Sequence, residues 1–135
     1  GIAIETEFDD AIPPLLVNLS EMRRVFFYLI NNAHQALESV RGRPRKLRIT
    51  TALVDDTAQV RFEDNGHGIP AEIQSRVFDP FFTTRKVGEA TGLGLSVSYG
   101  IVNEHGGNIH MESEEGKGAT FTVVLPLPDE PGPDA

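Results

Sequence analysis

Asp64-Asn65-Gly66-His67-Gly68-Ile69-Pro70 and, one short helix and a loop later, Thr91-Gly92-Leu93-Gly94-Leu95-Ser96 are the stretches on which the reading of this chain turns. In the first, an acid closes a strand and two glycines follow it. Glycine permits positive φ and lets a flat ligand approach the backbone closely. A carboxylate there can accept a hydrogen bond from an exocyclic amine, which distinguishes adenine from guanine. In the second, the glycines run into a helical pattern whose first turn includes Leu95 and Ser96. Free N–H groups and the positive dipole end at a helix start favour phosphate. A tight Asp-Asn-Gly turn and a loop-to-helix junction would account for each stretch taken alone. The second is not a dinucleotide fingerprint, because Val97 stands where the third glycine belongs, and no Gly-Lys-Ser/Thr triplet marks a P-loop.

Upstream lies a helical pattern. Met22, Val25, Phe26, Leu29, Ile30, Ala33, Ala36, Leu37 and Val40 recur at helical spacing. Ser20 is placed to cap its start, and Gly42-Arg43-Pro44 ends it. Asn31-Asn32-Ala33 sits inside this run, where Asn has only modest propensity. Asn32 falls between Leu29 and Ala36, on the edge of the apolar face. Its carbonyl oxygen can ligate Mg²⁺, which takes few protein ligands and completes its shell with phosphates and water. Asn31, about 100° round the helix, can serve instead. A solvent-facing or capping amide is the plain alternative. Together the acid, the glycine loop at a helix start and the amide oxygen form the parts of an ATP site.

The remainder reads as strands and short helices. Ile2 to Phe8 alternates loosely, Asp9-Asp10 and Pro13-Pro14 turn, and Leu15-Leu16-Val17 is a short apolar strand candidate. Leu47 to Val54 and Ala58 to Glu63 form a hairpin about Asp55-Asp56. Pro70 opens a short helix that Phe78-Asp79-Pro80-Phe81-Phe82 closes. Thr83 to Ala90 is polar, contains Gly88 and reads as a mobile loop. Leu93 to Glu104 is helical and Gly106-Gly107 stops it. Asn108 to Ser113 and Thr120 to Leu125 are strands joined through Glu114 to Gly118. The domain thus covers residues 1–127, and an acidic, Pro-rich tail over 128–135 reads as disordered. The class is α/β (α+β), one layer of helices on one mixed sheet.

Composition permits this reading. The 135 residues suffice for one core, with 39% hydrophobic and 24% charged. The net charge of −8 argues against nucleic acid or an anionic membrane surface as the main partner. The absence of cysteine excludes a disulfide framework, a zinc-thiolate site and a Cys nucleophile. No apolar run approaches the roughly 18 residues of a membrane span. The opening residues carry no signal-peptide pattern and read as mid-strand, as a piece of a longer protein would. His34, His67, His105 and His110 have no metal-ligand spacing, and no Ser-His-Asp set stands out. His105, at a helix C-terminus, is well placed for a partly charged imidazole.

Four ordered boxes carry a family resemblance from about Asn18 to Pro126. The chain resembles the catalytic, ATP-binding domain of two-component sensor histidine kinases, in the superfamily shared with gyrase-type and mismatch-repair ATPases. Leu29-Ile30-Asn31-Asn32-Ala33 is similar to the N box, and Asp64 to Ile69 to the first glycine box. Phe78 to Arg85 resembles the phenylalanine box, and Thr91 to Ser96 the second glycine box. Gly116 to Phe121, through Leu125-Pro126, resembles the closing strand. The form Asn-Ala-X-Gln-Ala, Asn32 to Ala36, leans toward the nitrogen-regulation type of kinase.

The resemblance implies a two-layer sandwich: a mixed, largely antiparallel sheet of about five strands under about three helices. It also implies a mobile ATP lid over Thr83 to Ala90. Asp64 is then the adenine reader and Asn32 the Mg²⁺ ligand and catalytic amide. Gly66, Gly68, Ile69, Phe81, Thr91, Gly92, Leu93, Gly94, Leu95 and Thr120 are the remaining nucleotide contacts. Arg85 or Lys86 can neutralise γ-phosphate charge. The γ-phosphoryl group passes to a histidine on separate phosphoacceptor and dimerisation helices, and then to a response regulator's receiver domain. The implied setting is cytoplasmic, under a parent kinase that can be membrane-anchored, with the isolated domain a monomer.

The departures from the pattern narrow the chemistry. Asn18 stands where many relatives have Asp, and Ala90 replaces a frequent glycine. Tyr28 stands where many kinases have Asn, and where the neighbouring ATPases carry a glutamate that activates water. A tyrosine cannot act as that carboxylate base, so phosphoryl transfer is favoured over hydrolysis. No histidine here is followed by the acid usual at a phosphoacceptor. The rivals are an anti-sigma-type serine kinase, a degenerate nucleotide-binding docking module and a gyrase-like ATPase.

Overall fold

The computed structural model describes residues 1–79 and 94–128. Along the chain run β1 (Ile2–Glu7), α1 (Leu19–Leu37), β2 (Arg45–Val54), β3 (Thr57–Asp64) and a short 3-10 helix (Ala71–Arg76). Then come α2 (Gly94–Glu104), β4 (Asn108–Glu114) and β5 (Gly118–Pro126). The strands form one sheet in the order β1-β2-β3-β5-β4, in which only the β1–β2 pair is parallel. The expected five-stranded mixed sheet under a layer of helices is borne out. The expected tail lies outside the described residues, save Pro128.

Period-2 alternation sorts the two faces of the sheet. Ala58 and Phe62 of β3, and Ala119, Phe121, Val123 and Leu125 of β5, are buried toward the helices. The opposite face carries ion pairs: Arg48 with Glu7 at 2.9 Å, Arg61 with Glu63 at 3.1 Å and Lys46 with Glu5 at 3.9 Å. These exposed pairs contribute little stability, and their effect is to keep that face in water.

The 3.6-residue period of α1 does the complementary work. Met22, Val25, Leu29, Ala33 and Leu37 are buried along one stripe, and the Phe26 ring lies 5.7 Å from that of Phe62. From α2, Ile101 and Val102 join the same core.

Three local expectations are corrected. The cap of α1 is Asn18, not Ser20: the Glu21 amide donates to Asn18 Oδ1 at 3.0 Å and the helix starts at Leu19. Leu15-Leu16-Val17 is no strand. Pro13 and Pro14 remove two donors just before it, and the cap follows at once. Leu15 and Val17 pack on the core as irregular chain, while Leu16 is 86% exposed. The apolar pattern of α1 runs to Val40, yet the helix ends at Leu37. The Glu38 amide donates to His34 O and Gln35 O and the Val40 amide to Leu37 O, and just past the helix Arg41 donates to Glu38 O and Val40 O at 2.6 and 2.9 Å, while Arg45 donates to the same two oxygens.

His105, at the C-terminal end of α2, makes two ring contacts. Its Nε2 accepts from the Asn18 amide at 3.0 Å, and Nδ1 lies 2.8 Å from Ile101 O. It ties the start of α1 to the end of α2, and so sets the two helices antiparallel.

Candidate functional site

Asp64 is the last residue of β3 and follows Phe62 in the alternation that faces the helices. It is only 8% exposed. Burial pushes its carboxyl above the ordinary value of 3.8, against the opposing pull of the Gly66 and Ala119 amides and of His67. The Gly66 amide donates to Oδ1 at 2.9 Å. A carboxylate has about four acceptor positions, so Asp64 keeps capacity for an exocyclic amine.

The loop after Asp64 is held on every side. Asn65 Nδ2 donates to Pro44 O and Asn65 Oδ1 accepts from the Lys46 amide, both at 2.8 Å. His67 O accepts from the Gly116 amide, which seats the loop on the β4–β5 turn with Gly68 buried beneath it. Ile69 is fixed at both ends of its backbone. Its amide donates to Ser113 Oγ at 2.8 Å, and its carbonyl accepts from Gln74 Nε2 at 2.9 Å.

Both glycine boxes touch α1. A Cβ on Gly66 would lie 2.7 Å from Ala36 O, so only glycine fits that approach. A Cβ on Gly94 would lie 3.2 Å from the Tyr28 ring. Tyr28, Asn32 and Ala36 follow one another at four-residue steps and share one side of the helix. They span about 12 Å of axis. Asn32, half-buried, stands midway between the two glycine contacts, whereas Asn31 is exposed. At the Tyr28 end α2 begins at Gly94, where the first four N–H groups of a helix lack intrahelical acceptors. Leu95 is half-buried and packs on the core. The edge presented by α1, Asp64 and the α2 start is thus carboxylate at one end, amide in the middle and a helix N-terminus at the other.

Among the described residues no group of three or more His, Cys, Asp or Glu side chains could hold a metal ion. A cation here would depend on Asn32 together with phosphate oxygens and water, which is the habit of Mg²⁺.

Thr120 is not brought to this edge. It pairs with Glu63 and Glu112 on the other face of the sheet, while its neighbour Ala119 stands opposite Asp64. Phe81, Thr91, Gly92, Leu93, Arg85, Lys86 and the expected lid over Thr83 to Ala90 lie outside the described residues. Phe78, which opens the phenylalanine box, packs edge-on against Phe121 with ring centroids 6.1 Å apart. Sequence reading missed Ala36, Gln74, Ser113 and Ala119. Ser113 had a signal: it is the polar member of the inward series Ile109, Met111, Ser113.

The histidine kinase-, DNA gyrase B- and HSP90-like ATPase family matches residues 18–129. The signal transduction histidine-protein kinase AtoS of Escherichia coli is 42% identical over 123 residues, covering 90% of this chain and 19% of AtoS. The sensory histidine kinase/phosphatase NtrB of Vibrio alginolyticus is 34% identical over 137 residues, covering 94% of this chain and 38% of NtrB. This chain therefore spans a minor part of each of those proteins. The nucleotide-free catalytic domain of histidine kinase ThkA superposes with a TM-score of 0.78 at 31% identity, covering 93% of this chain and 80% of that one.

Proposed function

This chain belongs to the histidine kinase-, DNA gyrase B- and HSP90-like ATPase family, and on that premise we propose that it binds Mg-ATP and donates the γ-phosphoryl group to a histidine on a separate phosphoacceptor domain. One observation carries the reading. Both glycine boxes meet the same side of α1, with Asn32 between them and buried Asp64 beside the first. That spacing suits a nucleotide lying along the helix, base at the Asp64 end and phosphates at the α2 start. Asp64 accepts the adenine amine, and the fixed backbone of Ile69 lines the base. Asn32 supplies the oxygen for Mg²⁺, which would offset phosphate charge. Gly94 and Leu95 offer amides to the phosphates, joined in the proposal by Phe81, Thr91, Gly92 and Leu93. Arg85 and Lys86 are the cations proposed for the γ-phosphate.

Transfer is favoured over hydrolysis by Tyr28. Its ring lies against Gly94 and its hydroxyl is 3.5 Å from Arg24 Nη2, so the place of a carboxylate base holds a phenol beside a cation. The acceptor is proposed to be a histidine on the dimerisation helices of the same kinase, with a response regulator downstream. The form of Asn32 to Ala36 and the likeness to NtrB support the nitrogen-regulation type. Among the described residues no helix is long and apolar enough to cross a membrane. The proposed location is the cytoplasm, where ATP is supplied.

Calorimetric titration with ATP and GTP, each with and without Mg²⁺, tests the reading. Binding of ATP, strengthened by Mg²⁺ and much weaker for GTP, is expected. Equal affinity for the two bases would remove Asp64 from its role.

A further inference from the structure

The loop that ends α1 sends one side chain back to the glycine box. Arg43 Nη2 donates to Asn65 O at 2.7 Å and to Gly66 O at 3.1 Å. Asn65 O and the Gly66 N–H are the two ends of a single peptide unit. At its other end that same unit donates to Asp64 Oδ1 at 2.9 Å. A guanidinium and a buried carboxylate are therefore joined through one peptide, with the cation at the carbonyl and the anion at the N–H. Charge-assisted bonds of this kind are the stronger ones, and a chain of them polarises each member in turn. Gly66 itself lies close against α1, where an added Cβ would meet Ala36 O at 2.7 Å. The Arg43 loop is itself held down by Asn65 Nδ2 on Pro44 O.

We propose that Arg43 is the positioning residue for base recognition: by fixing the Asn65–Gly66 peptide, it fixes the plane in which the Asp64 carboxylate meets adenine. This rests on the reading of Asp64 as the base acceptor. Arg43 lies in none of the motifs from which the site was read, and it touches the base-reading group only through the backbone. Its effect therefore belongs to the base, whatever the number of phosphates attached.

The test uses Arg43→Ala and Arg43→Gln in the full chain, followed by NMR titration with adenosine, ADP and Mg-ATP. Arg43→Ala should weaken all three by the same factor, roughly tenfold, the scale of a lost charged hydrogen bond. Arg43→Gln, which keeps a donor, should fall between it and the wild type. In the nucleotide-free protein the Gly66 amide proton should move upfield in Arg43→Ala, a signature that a merely stabilising surface arginine would not produce. Unchanged affinities, or a loss that grows with the number of phosphates, would overturn the proposal, as would an unmoved Gly66 resonance. Should Arg43→Ala fail to fold, Arg43→Gln carries the same comparisons. Should the wild type bind none of the three ligands, the reading of Asp64 falls, while the Gly66 resonance still decides whether Arg43 orders the peptide.

Discussion

Asp64 bears opposite demands from folding and from binding. Its carboxyl is raised by burial above the ordinary 3.8, so it holds a proton more readily in the folded state than in the unfolded chain. For an acid shifted upward, the contribution to stability is present below the unfolded value and is lost as pH rises through the folded one. Asp64→Asn should therefore leave the nucleotide-free protein at least as stable at neutral pH, with an advantage over wild type that shrinks as the pH falls toward 3.8. Binding runs the other way, because only the ionised form accepts freely from an amine. Asp64→Asn should weaken ATP by about 1.5 kcal/mol or more. Wild-type affinity should fall as the pH drops through the raised Asp64 value. Melting curves and calorimetry across that window check both halves, and a variant that loses stability without losing affinity would reverse the assignment. At Asn32 the demands do not conflict. The side chain is half-buried at the helix edge, so Asn32→Ala should cost little in melting temperature while abolishing the gain in ATP affinity from Mg²⁺. A large drop in the nucleotide-free melting temperature would mark Asn32 as a structural amide instead.

At the level of elements, α1 is the rail against which the site is set, and its glycine contacts are the points of tolerance. Gly66→Ala puts a methyl 2.7 Å from a backbone oxygen, a clash that can be relieved only by moving the loop from the helix. Overpacking of that sort costs about 1–3 kcal/mol, and here it should also displace the Asp64 contact and weaken ATP. Gly100, in the middle of α2, meets nothing within 4 Å. Gly100→Ala should therefore stabilise the helix by up to about 1 kcal/mol. Denaturant titration of the two variants side by side separates a glycine that backbone approach requires from one that it does not. Periodicity alone revealed α1, α2, the β2–β3 hairpin and the β4–β5 pair, because each is a local pattern. The end of α1 escaped it, since apolar spacing continues to Val40 although the helix stops at Leu37 and the carbonyls of Glu38 and Val40 bond Arg41 and Arg45 instead. The Asn18 cap also escaped, because Ser20 satisfies the same chemical preference two residues on.

Across the whole molecule, what stayed hidden was register. The pairing of β3 with β5, which puts Ala119 opposite Asp64, joins residues far apart in sequence. A shift of one residue exchanges the faces of a strand: Thr120, expected at the site from the resemblance, pairs with Glu63 on the other face, and its neighbour Ala119 stands opposite Asp64. The residues of the boxes were legible because their chemistry is local. Ser113 and Ala36 were not, since Ser113 holds the Ile69 amide and Ala36 abuts Gly66 only across contacts that the fold brings together. The same logic extends to the reaction. In-line transfer requires a nucleophile placed against the γ-phosphate. His67 is engaged with Gly68 O and His105 with Asn18 and Ile101. His34 lies 3.5 Å from Glu38, and none of the four histidines precedes an acid. Tyr28 offers no carboxylate to activate water. The isolated chain should accordingly bind ATP yet neither label itself nor hydrolyse it quickly. Adding a separately prepared dimerisation domain of the same kinase should restore transfer to that domain's histidine, though weakly, because untethered partners lose effective concentration. Radiolabelled ATP reads both outcomes in one gel. Acid-labile label retained on this chain alone and mapped to one of its own histidines would mean that the acceptor lies within it.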